Sequence, residues 1–265
     1  MLVFPQLATG GSALYPVRKT RVERTALNTL GDGRTDLYFD SKAGITIWDF
    51  VGKGFTRAEW DAVENLFEQT SGRQKTFVLL DPVGNLLGQS ETLSDPLWVK
   101  DAQIQLVPGI GDPFGTTKAT RVTNTGQTAQ QVGQILNVPG NFHYCFSGWF
   151  RSASGSNAVI AVAAGSHEVS QTILLTSQWQ RAFVSGNPAQ AAAPSVTFQT
   201  RLGAGATIDV FGLQAEAQLA PSDYKQTGAR AGVYANARFA TDAIAGRAHS
   251  LDVHDSVIRI VSTGN

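Results

Sequence analysis

From residue 85 to residue 227 the sequence offers no amphipathic helical repeat. Short runs rich in β-branched and aromatic residues recur instead, near 120–123, 132–138, 144–151, 158–163, 171–175, 180–184, 195–201 and 207–215. Turn chemistry separates them: Pro108-Gly109, Asp112-Pro113, Pro139-Gly140 and Gly186-Asn187-Pro188. Strands this short, spaced this evenly and punctuated this way predict an antiparallel sandwich.

Residues 1–84 read differently, because they hold the one strong helix signal. Thr56 and Glu59 form a capping box, in which the Thr hydroxyl accepts the Glu59 amide proton and the Glu carboxylate accepts the Thr56 amide proton. Phe55 and Trp60 make a hydrophobic staple around it, and Trp60, Val63 and Phe67 then share one helical face. Gly72 reads as the stop, so the helix is expected over about 57–70. Strands are expected at 34–40, 45–50 and 76–80, an α+β layout in which Trp48 and Trp60 pack sheet against helix.

Gly228–Gly232 reads as a small-residue hinge. Beyond it the charges return, and 233–240 and 256–262 are strand-like. A closing piece of only about 37 residues is too small to hold a core alone. It therefore reads as the rest of the first domain, giving a discontinuous domain of 1–84 and 229–265 with the sandwich, 85–228, inserted.

The 21 Lys and Arg balance the 21 Asp and Glu, and charged residues are only 16% of the chain. Zero net charge argues against a nucleic-acid wrapper or a membrane-surface binder, both of which need a basic excess. A neutral surface also protects poorly against self-association. Cys145 is alone, which excludes an intrachain disulfide. No apolar run approaches the length of a membrane span, and Pro5 follows Met1–Phe4 at once, so no signal peptide is expected.

Phe55–Pro82 (FTRAEWDAVENLFEQTSGRQKTFVLLDP) resembles the N-terminal domain of phage distal tail and baseplate hub proteins, and the stretches 38–50 and 242–261 fit the same layout. The middle is similar to jelly-roll carbohydrate-binding modules. Asn85-Leu86-Leu87, Trp98-Val99-Lys100, Asp112-Pro113, the run 144–151, Trp179-Gln180-Arg181, the run 208–216 and Ala220-Pro221-Ser222-Asp223-Tyr224 carry that likeness in order. The first resemblance implies a hexameric ring joining tail tube to tip. The second implies an outward module that touches host-surface sugar. Together they give a mainly β chain: a split α+β tail-ring domain with one helix, plus an inserted jelly roll.

Alternation along 144–151 puts Tyr144, Phe146 and Phe150 on one face and His143, Cys145, Ser147 and Trp149 on the other. The first face is expected to line the core. Trp149 and His143 are then the candidates for a glycan platform, with packing of Trp149 under a loop as the alternative. Trp98 and Trp179 are expected as core staples. The module resemblance implies a structural calcium, for which Asp209 and Glu216 are the candidate ligands. No other cofactor is expected.

His249, Asp252, His254 and Asp255 form the densest cluster of ligand-type side chains, with Asp252 and His254 on one side of an extended segment. No third zinc ligand stands at the right spacing, so a polar edge is the preferred reading. The Gly-rich stretches 109–115 and 203–205 lack a following helix and cradle no phosphate. The basic run from Arg18 to Arg24 is broken by Glu23 and reads as a subunit or tube contact.

The expected function is therefore a structural one. The chain is read as a distal-tail-type virion protein, made in the host cytoplasm, whose partners are its own copies, tail-tube and hub proteins, and host carbohydrate. A host-adhesion glycan binder without a ring role is the alternative. An enzyme is not expected, because the few acids of the middle segment stand in no catalytic motif.

Overall fold

A computed structural model of the chain describes residues 1–263, the side chains at 41–43 excepted. Its elements begin with β1 (Val17–Thr29), β2 (Thr35–Phe55), helix α1 (Arg57–Gln69) and β3 (Phe77–Leu80). Ten strands follow: β4 (Val99–Lys100), β5 (Ile104–Ile110), β6 (Ala119–Asn124), β7 (Gln130–Leu136), β8 (Tyr144–Arg151), β9 (Asn157–Ala164), β10 (His167–Leu174), β11 (Gln180–Gly186), β12 (Val196–Leu202) and β13 (Thr207–Glu216). The chain closes with β14 (Val233–Phe239), β15 (Gly246–Ala248) and β16 (His254–Thr263). The protein is mainly β, with antiparallel sheets and one helix among the described residues.

Two compact units divide the chain. One holds Met1–Ala8, Ala13–Leu79 and Tyr234–Asn265; the other holds Thr9–Ser12 and Leu80–Val233. The seams thus fall near residues 80 and 233 rather than at 84 and 228. Hydrogen bonds explain the shift. The Asp81 amide donates to Gly232 O and the Gly232 amide to Asn85 O, both at 2.8 Å, so residues 81–85 and 232 belong to one structure.

In the first unit a sheet ordered β1-β2-β16-β14-β3, with β15 paired to β16, carries α1 on one face. The capping box forms as read: the Glu59 amide donates to Thr56 Oγ1 at 3.3 Å, and the Thr56 amide donates to Glu59 Oε2 at 2.8 Å. Trp48 and Trp60 are both buried in the core between helix and sheet, with Phe50, Phe77 and Phe239. The helix stops at Thr70, and the left-handed backbone begins at Ser71, one residue ahead of the expected Gly72.

β1 and the first part of β2 continue past this core as a two-stranded arm. The runs expected as separate strands at 34–40 and 45–50 are one strand, whose register against β1 slips between Val22 and Arg24. In the arm Leu27 lies opposite Leu37, and Thr25 opposite Phe39, on one face. Their neighbours Arg24 and Asp40, Ala26 and Tyr38, and Asn28 and Asp36 lie on the other.

The second unit is a sandwich of two five-stranded sheets, β10-β9-β12-β7-β4 and β11-β8-β13-β6-β5. We call them the β12 sheet and the β13 sheet. Alternation works as expected on β8: Tyr144, Phe146 and Phe150 are fully buried. Tyr144 meets Phe198 of β12 edge to face at 5.5 Å, closing the core between the sheets. Asn85 ties the start of the unit to its last strand. Its Nδ2 donates to Leu213 O at 3.0 Å, and its Oδ1 accepts the Leu87 and Ala215 amides at 3.0 Å. Leu86 and Leu87, beside it, are fully buried.

Candidate functional site

The two outer faces of the sandwich differ in what lies on them. On the β13 sheet, Cys145, Ser147, Trp149 and Arg151 of β8 stand beside Asp209, Phe211, Gln214 and Glu216 of β13. This is the face that alternation assigns to Trp149 and His143. It is roofed. Phe114 and Tyr224 meet the Trp149 ring edge to face at 5.4 and 5.5 Å, and the Arg181 guanidinium lies 4.6 Å from the ring centre. Gly212 backs onto the same ring, so closely that a Cβ there would come within 3.2 Å of it. The Asp112 loop carries Phe114. It is latched by the Phe114, Thr116 and Lys118 amides and the Thr116 hydroxyl, all donating to the Asp112 carboxylate.

A sugar platform needs an open ring face, and Trp149 has a cation there instead. The loop-packed alternative is the arrangement seen. His143 is half-buried elsewhere on this face: its Nε2 lies 2.9 Å from Ser185 Oγ, and burial lowers its pKa, favouring the neutral ring. Cys145 is fully buried, and burial, reinforced by the Glu216 charge, pushes its thiol up to about 12. Trp98 is the core staple expected, its indole N–H donating to Gln89 O at 3.0 Å. Trp179 is half-buried and stacks under Arg151 at 4.6 Å, at the edge rather than in the core.

Asp209 and Glu216 do not form a calcium cage. Asp209 accepts from Arg121 at 2.8 and 3.2 Å and from Arg151 at 2.9 Å. Glu216 accepts from Lys225 Nζ and Gln214 Nε2, each at 2.8 Å, from Gln218 Nε2 and the Ser222 amide, each at 3.0 Å, and from the Ser222 hydroxyl. Burial of Glu216 would raise its pKa, but these donors outweigh it and the net shift is downward. Both carboxylates are matched by protein cations, the reverse of the oxygen-rich, donor-poor shell that a hard cation takes. Among the described residues no three His, Cys, Asp or Glu side chains gather as a metal site.

The cluster near the C-terminus is an edge, as preferred. His249 Nε2 lies 2.9 Å from Asp255 Oδ2, while Asp255 Oδ1 accepts the Gly54 amide at 2.9 Å. That hydrogen bond from the Gly54 amide is the first cause of the lowered Asp255 pKa. Asp252 sits in a turn before β16 begins and His254 is buried within the strand, so the two are not on one side of an extended segment.

The bare face belongs to the β12 sheet. A groove of about 320 Å³ lies along it, lined by residues of β4, β7, β12, β9 and β10. Thr197, Gln199 and Arg201 of β12 point into this side, opposite the buried Val196, Phe198 and Leu202. Gln199 is only 6% exposed, yet its side-chain amide has no hydrogen-bond partner among the described residues. Gly133 makes room for it: a Cβ at 133 would meet Phe198 O at 2.4 Å and Gln199 Cβ at 2.9 Å. Gln131, Asp101 and Glu168 add polar groups, and Glu168 pairs with Arg201 at 2.7 Å. Arg201 is the first cause of the lowered Glu168 pKa. No aromatic side chain lines the groove. Sequence reasoning missed these residues because it looked for a Trp. The available signal was the Thr-x-Gln-x-Arg alternation of β12.

No protein-family model matches the chain, and neither does any curated protein. Among solved structures it is similar to the enzymatically active domain of bacteriophage CBA120 tailspike protein 4, at 8% identity and TM-score 0.41, over 52% of this chain and 22% of that one. It is similar to the C-terminal family 22 carbohydrate-binding module of Clostridium thermocellum Xyn10B, at 16% identity and TM-score 0.40, over 50% of this chain and 92% of the module. A putative sugar-binding protein from Bacteroides thetaiotaomicron is a third, at 9% identity and TM-score 0.37, over 50% and 99%.

Proposed function

We propose that the chain is a non-catalytic component of a phage tail tip whose sandwich holds host-surface carbohydrate in the β12-sheet groove. The observation that carries the glycan role is Gln199, whose side-chain amide opens onto the groove and makes no hydrogen bond to the protein among the described residues. A polar group that lines a groove and has no partner within the protein is free to hydrogen-bond a polar ligand. Sugar hydroxyls both donate and accept, which is what an amide offers. The test is a glycan array on the full chain and two variants. Binding that survives in Trp149→Ala and is lost in Gln199→Ala is expected; silence across the array for the native chain would sink the reading.

Assembly into a ring, with tail-tube and hub proteins as neighbours, is the companion reading. The arm supports it. Leu27, Leu37 and Phe39 share one face and are 63%, 70% and 55% exposed, and a two-stranded ribbon with a bare apolar face is marginal alone. Negative-stain images of native protein are expected to show closed rings, and those of Leu27→Glu/Phe39→Glu protein to show none. A native chain that stays monomeric at every concentration contradicts this part and leaves the groove untouched.

A further inference from the structure

We infer that the groove selects glycans bearing acetamido groups, that is, N-acetylated amino sugars. The inference rests on the glycan reading of the groove and adds the class of ligand. Register places Val99, Gly133, Gln199, Ala161 and Ser170 in one row across the β12 sheet. The next row is Ile135, Thr197, Ala163 and Glu168. The centre of the first row thus carries no side chain larger than a methyl except Gln199, and Ala163 flanks it. The result is a trough with a small apolar floor and one unused amide set in it.

Three properties of this trough bear on its ligand. It has no aromatic surface, so a sugar cannot be gripped by stacking its ring face. Its floor of Gly133 and Ala163, flanked by the exposed Val99 and Ile135, suits a methyl group, which a plain hydroxyl does not supply. Its unused polar groups stand apart: Gln199 at the floor, Gln131 and Thr197 on the neighbouring rows, their side chains likewise without a partner among the described residues. The N–H and C=O of an acetamido group point in opposite directions, because the amide is trans. Such a group needs two partners on two sides, with its methyl set on something apolar between them. A hydroxyl would satisfy Gln199 and leave the floor wet, whereas an acetamido group fills both. The Glu168–Arg201 pair closes on itself at the side of the groove, so neither charge calls for an ionic ligand.

Calorimetry of the full chain with two tetrasaccharides of the same β-1,4 linkage separates the outcomes. Chitotetraose carries an acetamido group on every ring, and cellotetraose carries none. The inference expects chitotetraose to bind at least tenfold tighter, Gln199→Ala to lose at least tenfold of that affinity at an unchanged Tm, and Ala163→Leu, which fills the floor, to abolish it. Cellotetraose binding as tightly as chitotetraose, or chitosan tetraose with its amines free doing so, overturns the acetamido inference while the glycan reading stands. An array on which native protein binds other sugars and never an N-acetylated one does the same. Binding of no sugar at all overturns both.

Discussion

The two outer faces of the sandwich come from the same alternation of side chains and reach opposite ends. The β13 sheet has the aromatic residues, and the chain spends a loop and a tail on covering them. Phe114, Tyr224 and Arg181 pack on Trp149 and leave it half-buried, and Asp112 and Glu216 latch the cover in place. The β12 sheet has amides, a Gly and an Ala along an open groove that Gln199 lines. An outward Trp on a strand is thus a statement about which face it occupies, and the covering loop decides whether that face meets solvent. The bare face is the one that lacks a residue worth covering.

That contrast can be broken by mutation. The largest effect is expected for Trp149→Ala, which empties a space under the roof and should cost about 2–3 kcal/mol of stability, with binding in the groove unchanged. Denaturant unfolding beside a glycan titration reads both. If binding falls with stability intact, the roof opens and Trp149 is a platform after all. Asp209→Ala strips the shared partner from Arg121 and Arg151. Because both guanidinia reach water, the loss should be about 2 kcal/mol, below the 3–5 of a fully buried pair. A Tm that rises in added calcium with the native chain, and not with this variant, would instead restore the metal reading.

Gln199→Ala is expected to do the opposite of Trp149→Ala: about tenfold weaker glycan binding, roughly 1.4 kcal/mol, with stability unchanged. The smallest effect is with pH. Asp112 and Glu216 both have lowered pKa values, since their hydrogen bonds outweigh the burial that would raise them. A lowered carboxylate adds stability that is complete above its unfolded pKa and is lost as pH falls through the folded one. The roof should therefore stay shut at neutral pH and loosen only below the ordinary carboxylate range. Trp fluorescence should shift red in acid and nowhere near pH 7.

How far the sequence reveals these features depends on whether they are local. The helix was legible to a residue because Thr56 and Glu59 cap it within one turn. The sandwich was legible because large apolar residues recur every second position along strands such as Tyr144–Arg151, although the covered outer face buries Cys145 and Ser147 as well. β1 was not, since both faces of the arm meet solvent and leave no period of two to read. β5 was hidden by Pro108-Gly109, which looks like a turn and is a bulge: the register slips between Pro108 and Ile110, and Gly109 takes φ +84°. The groove was least legible of all. Gln199 is an ordinary outward strand residue until register sets Gly133 and Ala161 beside it, and those lie 66 and 38 positions away. The same holds for Asp209, whose two arginines are cross-strand neighbours 88 and 58 residues distant.

The hydrogen bonds that join Asp81 to Gly232 and Gly232 to Asn85 have a consequence for heredity. They bring the first and last residues of a 154-residue segment, Leu80–Val233, to within a few ångströms of each other. A piece of chain that starts and stops at one spot can be spliced out or traded for another without stretching what flanks it, because the gap left behind is short. Asn85 and Gly232 are in this sense the joint of a cassette.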